Sequence, residues 1–201
     1  FDLLDKKRRL VNPILMEEYK LISASQTVMT ELMIPAYSNF GGKIHGGHVL
    51  SLMDKVAYAC AAKHAGSYCV TASIDKVDFL VSIEVGEIVS LAASVNYVGT
   101  SSMVIGIKVT SENIIKKFVK HTNSSYFTMV AVDEETGKAT KVPGLILQTA
   151  TDARRFIEAM HRKELNNYYR KESTHLKSEY EKEEYLKLLE KERCILEIKQ
   201  K

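Results

Sequence analysis

The chain has 201 residues, 45% of them hydrophobic and 26% charged, with a formal net charge of +3. That is room for one domain of ordinary size plus an appendage. The charge is too weak to argue for nucleic acid or an anionic membrane, and no apolar run is long enough to span a bilayer.

Residues 1–22 read as a charged N-terminal segment. Asp5-Lys6-Lys7-Arg8-Arg9 stands where a secretory signal needs an apolar core. Cysteines number three (Cys60, Cys69 and Cys194) and lie far apart, which fits reduced thiols better than a disulfide frame or a zinc site. A cytoplasmic location is the expectation.

Gln26 to Met33 is predicted as a strand. A glycine-dense loop follows, with Gly41, Gly42, Gly46 and Gly47, and runs into an Ala-rich segment, Val49 to Ala65, whose apolar spacing at Val49, Met53, Val56 and Cys60 is helical. Cys69 to Leu80 reads as a strand whose apolar phase slips near Asp75, where a bulge is expected. Val89 to Tyr97 and Met103 to Val109 alternate with period 2, with Gly99-Thr100-Ser101 as the hairpin turn between them. Tyr126 to Val132 is a further strand, closed by the turn Asp133 to Gly137. The prediction is an α+β fold over residues 23–150, an antiparallel sheet wrapped around one long helix. Residues 151–201 contain no Gly or Pro and are nearly half charged, so a helical tail is expected, in two helices parted near Ser173-Thr174. Phe156, Met160, Leu176, Tyr180, Leu188 and Ile195 form an intermittent apolar stripe on it.

The chemistry concentrates between Asn39 and Asp54. Glycines let a backbone approach a ligand closely and take positive φ. The helix start behind them offers unpaired N–H groups and the positive end of a dipole. Asp54 lies about two turns into the helix, too deep to cap it. A carboxylate there needs a reason.

Five blocks together are specific. They are Asn39-x-x-Gly42-x-Ile44-His45-Gly46-Gly47, Met53-Asp54, Val70 to Phe79, Gly86-Glu87-Ile88-Val89, and Phe127 to Asp133 closed by Val142-Pro143. In this order and spacing the chain resembles the hotdog-fold acyl-CoA thioesterases, over about residues 24–147. The branch it is most similar to contains the bacterial YciA-type enzymes and the cytosolic brain-type acyl-CoA hydrolases. The resemblance implies a hotdog domain that forms at least a homodimer, with a trimer of dimers as the next assembly, and an acyl-CoA substrate cleaved to free acid and CoA. It implies a site at the dimer interface that pairs Asn39 of one subunit with Asp54 of the other. His45, Gly46 and Gly47 would form the oxyanion loop, and the turn Gly99-Thr100-Ser101-Ser102 would touch the CoA end. Family members often carry an Arg in that turn, where this chain has Thr100.

Thioester hydrolysis needs a polarised carbonyl, an activated attacker and a sheltered acyl chain. Helix N-terminal amides supply the first. Asp54 could be base or nucleophile, and Asn39 would orient water or carbonyl. No metal or other cofactor is expected: His45, His48 and His64 lack zinc-site spacing. Asp75 and Asp78 are expected to make structural hydrogen bonds, and His121 to lie on the surface. Tyr168-Tyr169 with Arg154-Arg155 is too interleaved with acids for nucleic acid. Two rivals remain: an enoyl-thioester hydratase, for which no His follows Asp54 at short helical spacing, and a non-catalytic acyl-CoA sensor, which would be expected to lose the Asn39 and Asp54 pair.

Overall fold

A computed structural model describes residues 18–179, 189, 192–195 and 197. Strands β2 (Thr27–Leu32), β3 (Cys69–Ile74), β4 (Ile88–Val98), β5 (Ser102–Asn113) and β6 (Phe118–Ala131) form one antiparallel sheet in the order β2-β4-β5-β6-β3. Helix α1 (Gly46–Ala65) packs against all five strands. Its buried residues, Val49, Leu52, Met53, Val56, Ala57, Cys60, Ala61 and His64, recur at three- and four-residue steps and so share one face. Small side chains in its second half let the helix approach the sheet. Leu91, Val95, Ile105, Val109, Phe127 and Met129 supply the opposing wall. Gly66, in the left-handed region at φ 72°, ends the helix.

The expected antiparallel sheet around one central helix is present. Two short elements add to it: β1 (Tyr19–Leu21) pairs in parallel with β7 (Gly144–Ile146). Four expectations need correction. The first is the start of β6, which lies at Phe118, eight residues before the predicted start at Tyr126, in a polar stretch with no alternation to announce it. The predicted strand Cys69 to Leu80 stops at Ile74, and its register shift falls between Thr71 and Ser73 instead of near Asp75. Beyond Ile74 the chain keeps isolated bonds to the neighbouring strand, among them Asp75 N–H to Tyr126 O and Leu80 N–H to Thr122 O, both 2.9 Å. Charged Lys76 and Asp78 pair with each other there at 3.0 Å. The tail does not part near Ser173-Thr174: α2 runs unbroken over Ala150–Glu179. Thr174 Oγ1 donates to Arg170 O at 2.9 Å, so its hydroxyl is satisfied inside the helix.

The chain divides into two compact units, Phe1–Ala159 and Met160–Lys201. The first turns of α2 therefore belong with the sheet. Phe156 meets the Tyr97 ring with centroids 5.0 Å apart, and Ala159 is fully buried. In the second unit Met160 is half-buried, while Tyr168, Tyr169 and Ile195 are exposed. The side chain of Leu176, with Tyr180 and Leu188, lies outside the described residues, as do residues 1–17. No helix among the described residues is long and apolar enough to cross a membrane.

Candidate active site

The helix start is built from the loop upward. Asn39 Oδ1 accepts from Gly41 N–H at 2.9 Å and Lys43 N–H at 3.2 Å, and the Asn39 and Lys43 backbones bond at 2.7 Å. The side-chain oxygen thus folds its own loop, an Asx-type turn. The amide NH₂ of Asn39 has no acceptor among the described residues and faces an exposed position. Of the four loop glycines only Gly42 has positive φ, so conformational freedom explains one glycine and close approach explains two others. A Cβ on Gly46 would stand 3.3 Å from the Phe79 ring, and one on Gly47 3.0 Å from His45 Nδ1.

His45 is the N-cap of α1, and its Nδ1 accepts the Gly47 N–H at 3.0 Å. His48 and Val49 amides both reach His45 O. That leaves the Gly46 N–H as the helix-start donor with no acceptor among the described residues. Tyr37 braces this turn from three sides. Its carbonyl accepts from His45 N–H at 2.8 Å, and its ring stacks on His48 at 3.7 Å. Its hydroxyl bonds to Glu31, which holds the phenol pKa above its ordinary value. His48 Nε2 lies 3.5 Å from Glu31 Oε1.

Asp54 lies on the solvent side of α1, exposed in the single chain. Thr71 Oγ1, on β3, donates to Asp54 Oδ1 at 2.6 Å. The pair opens into a cavity of about 330 Å³ that Lys55, Tyr58, Tyr68, Cys69 and Val70 complete. Tyr58 and Tyr68 stand 6.0 Å apart, tilted 59°. Neither Asn39 nor the oxyanion loop lines this cavity, so one chain keeps the two halves of the expected site apart. Cys69 is buried, which pushes its thiol up to about 11, and burial likewise pushes Cys60 up to about 12. Neither is an active nucleophile at neutral pH.

The turn Gly99 to Ser102 is closed by Gly99 N–H to Ser102 O at 2.7 Å. Thr100 O and Ser101 O accept from Val142 and Ala131, so the turn is pinned through its backbone. Its hydroxyls are not among the residues lining the Asp54 cavity. His64 is fully buried, with Nε2 2.9 Å from Pro143 O. His121 is exposed and bonds Ser124 Oγ at 2.9 Å. The three α1-region histidines thus each serve a different local contact.

Sequence reasoning singled out neither Thr71 nor two other features. Tyr58 follows Asp54 by one helical turn, a signal available in the sequence. Glu87 is fully buried, and its carboxylate takes bonds from Lys120 Nζ at 2.8 Å, Ser111 Oγ at 2.6 Å and Glu84 N–H at 3.1 Å. Burial alone would raise its pKa, but those three donors together hold it below the ordinary carboxylate value. Glu84 in turn grips Lys43 at 2.6 Å, which ties this network to the Asn39 loop.

Comparison with known proteins gives the same direction. Residues 41–117 match the family model described as the thioesterase superfamily. The chain is 43% identical to protein VdlD of Helicobacter pylori over 150 residues, 74% of this chain and 85% of that protein. A solved apo-hexameric acyl-CoA thioesterase superposes with a TM-score of 0.73 at 39% identity, over 76% of this chain and 97% of that one. An acyl-CoA hydrolase from Staphylococcus aureus, solved with butyryl coenzyme A and coenzyme A, gives a TM-score of 0.72 at 32% identity, over 82% and 99%. Further structures of that hydrolase carry single alanine substitutions at an Asp, an Asn and a Thr. With the predicted sheet and helix in place and relatives matching across the whole domain, the chain belongs to the thioesterase superfamily, among its hotdog-fold acyl-CoA thioester hydrolases.

Proposed function

We propose that this protein hydrolyses acyl-CoA thioesters, with Asp54 as general base. The observation that carries the reading is the Asp54 and Thr71 pair inside a cavity. The Asn, Asp and Thr substituted in the S. aureus hydrolase stand in the order and spacing of Asn39, Asp54 and Thr71 here.

Thr71 holds Asp54 through Oδ1, which leaves Oδ2 to take a proton from water. The water oxygen attacks the thioester carbonyl, and the negative charge gathers on the carbonyl oxygen, where the partner subunit's Gly46 N–H and helix dipole meet it. The C–S bond then breaks, the acid is released, and the proton passes to the CoA sulfur. Asn39, with its NH₂ free, orients water or carbonyl. Since Asn39 and Asp54 lie apart in one chain, the site is completed by a second copy, with Asn39 of the partner subunit facing Asp54. Strand β3 fits this: it is an edge of the sheet, and Val70 and Ile74 on it are exposed. The hexameric state of solved relatives supports a homo-oligomer, at least a dimer and further a trimer of dimers.

The test is Asp54→Asn assayed with a panel of acyl-CoAs by thiol release. Loss of a base is expected to lower kcat by at least ~10²-fold, with the protein folded and its oligomeric mass unchanged. Retention of more than about a third of the wild-type rate would remove Asp54 from the reaction.

A further inference from the structure

The β5–β6 hairpin breaks two local rules at once. Asn113 Oδ1 accepts from Lys116 N–H at 2.9 Å and closes a tight turn whose central residues are Ile114 and Ile115. Such positions ordinarily go to Gly, Asn, Asp, Ser or Pro. Ile114 is 61% and Ile115 92% exposed. Lys117, next in the chain, has φ 55°, the one non-glycine residue with positive φ among those described, a position Gly or Asn would fill more cheaply. Exposure of branched aliphatics and backbone strain at the same few residues is expected where a function overrides local preference.

The neighbourhood extends the apolar tip. Sheet register places Leu32, Ile88, Glu112 and Val119 in one row at this end of the sheet, across β2, β4, β5 and β6. Leu32 and Val119 are 55% and 66% exposed. Glu112 is the one acid in the row, while Lys116 and Lys117 are exposed at the tip itself. The net charge of the chain is small, but charge at a surface acts within about 10 Å, and here it is local and positive.

We propose that this hairpin tip docks the protein peripherally on an anionic lipid surface, with Ile114 and Ile115 inserted among the headgroups and Lys116 and Lys117 paired with lipid phosphates. Reversible membrane attachment takes an apolar anchor together with basic residues, and both are present. A second copy of the chain fits less well. Tip against tip would oppose the two lysine pairs, and four aliphatic side chains fall well short of the roughly 800 Å² per partner of a stable interface. The same end of the sheet holds Glu84, whose ion pair to Lys43 anchors the Asn39 loop, so docking would bring that loop near the lipid.

The full-length protein would be sedimented with phosphatidylcholine vesicles, with and without roughly a third phosphatidylglycerol. Binding is expected to the anionic vesicles alone and to weaken as salt rises. Ile114→Ser with Ile115→Ser should weaken it by about 30-fold or more, and Lys116→Gln with Lys117→Gln by about 10-fold or more. The chain contains no Trp, so Ile115→Trp supplies a single fluorophore whose emission should shift to the blue on anionic vesicles. This variant keeps the tip apolar and tests the idea even if the serine pair fails to fold. No sedimentation of wild type at low salt, equal binding by the folded serine pair, or no shift in the Trp variant would each overturn the proposal. So would a drop in oligomeric mass of the serine pair with vesicle binding intact, which would assign the tip to a second copy.

Discussion

Thr71 illustrates what one hydroxyl contributes. Its 2.6 Å bond fixes the carboxylate of Asp54 in one rotamer on the exposed side of α1, and hydrogen bonds to charged groups are worth about 1.5–3 kcal/mol. Thr71→Val keeps the strand former and the volume but removes that bond. It is expected to lower kcat by about 10-fold or more with a small change in KM, and Thr71→Ser should recover most of it; equal kcat in Val and wild type would make Thr71 a packing residue. Asp54 and the glycines were legible in the sequence as a carboxylate in an apolar helix and a dense glycine cluster, and Asn39 through the family-like blocks. Thr71 was not, because threonine in a strand is what β-propensity already predicts. The glycines also show that one small residue can serve more than one purpose. Gly46 and Gly47 admit the Phe79 and His45 rings, contacts that no spacing rule encodes. The bond from the Gly47 N–H to His45 narrows the free helix-start amides to that of Gly46.

Elements were legible where alternation was long. Strands β4 and β5 and helix α1 follow their patterns to within a few residues, since period 2 and period 3.6 are strong over ten residues or more. The end of β3 was not, because Val77 and Phe79 keep an alternation after the chain has left the ladder. The β1–β7 pair was missed because three-residue strands carry no period at all. That small ribbon nonetheless fastens the far end of α1. Lys20 Nζ donates to His64 O at 2.8 Å, and the His64 ring reaches Pro143 O, one residue before β7. Burial disfavours the imidazolium, and Lys20 adds to this against the opposing Pro143 bond, so His64 holds its proton more weakly than the ordinary 6.5. Its folded pKa therefore lies below its unfolded one. The stability it contributes is complete above about pH 6.5 and is lost as pH falls from there toward the folded value. Melting temperature should drop more steeply between about pH 7 and pH 5 in wild type than in His64→Gln, which retains a donor for Pro143 and cannot titrate. Parallel curves for the two proteins would assign the acid sensitivity elsewhere.

On the scale of the whole molecule, the sequence marked the domain and its family-like blocks, and the proposed pairing of Asn39 with Asp54 across subunits is open to a direct test. Asn39→Ala and Asp54→Ala proteins, each inactive, provide the test when unfolded and refolded together. A mixed dimer holds one intact site and one doubly altered site. In an equal mixture such dimers are half the population, so about a quarter of wild-type activity should return. No recovery, with mixed dimers verified by native mass spectrometry, would place both residues in one subunit's site.

The open edge of β3 has a kinetic consequence. If β3 pairs with a second copy, as proposed, catalysis depends on encounter between molecules. The rate per chain should then be constant at high enzyme concentration and fall on dilution below the dissociation constant of the pair, where the reaction becomes second order in enzyme. Jump dilution would show this as a slow decay of activity at the rate of subunit separation, and added acyl-CoA should retard it if substrate bridges both halves. Specific activity that stays flat down to the limit of detection, in samples that mass measurement shows to be monomeric, would mean that a single copy suffices.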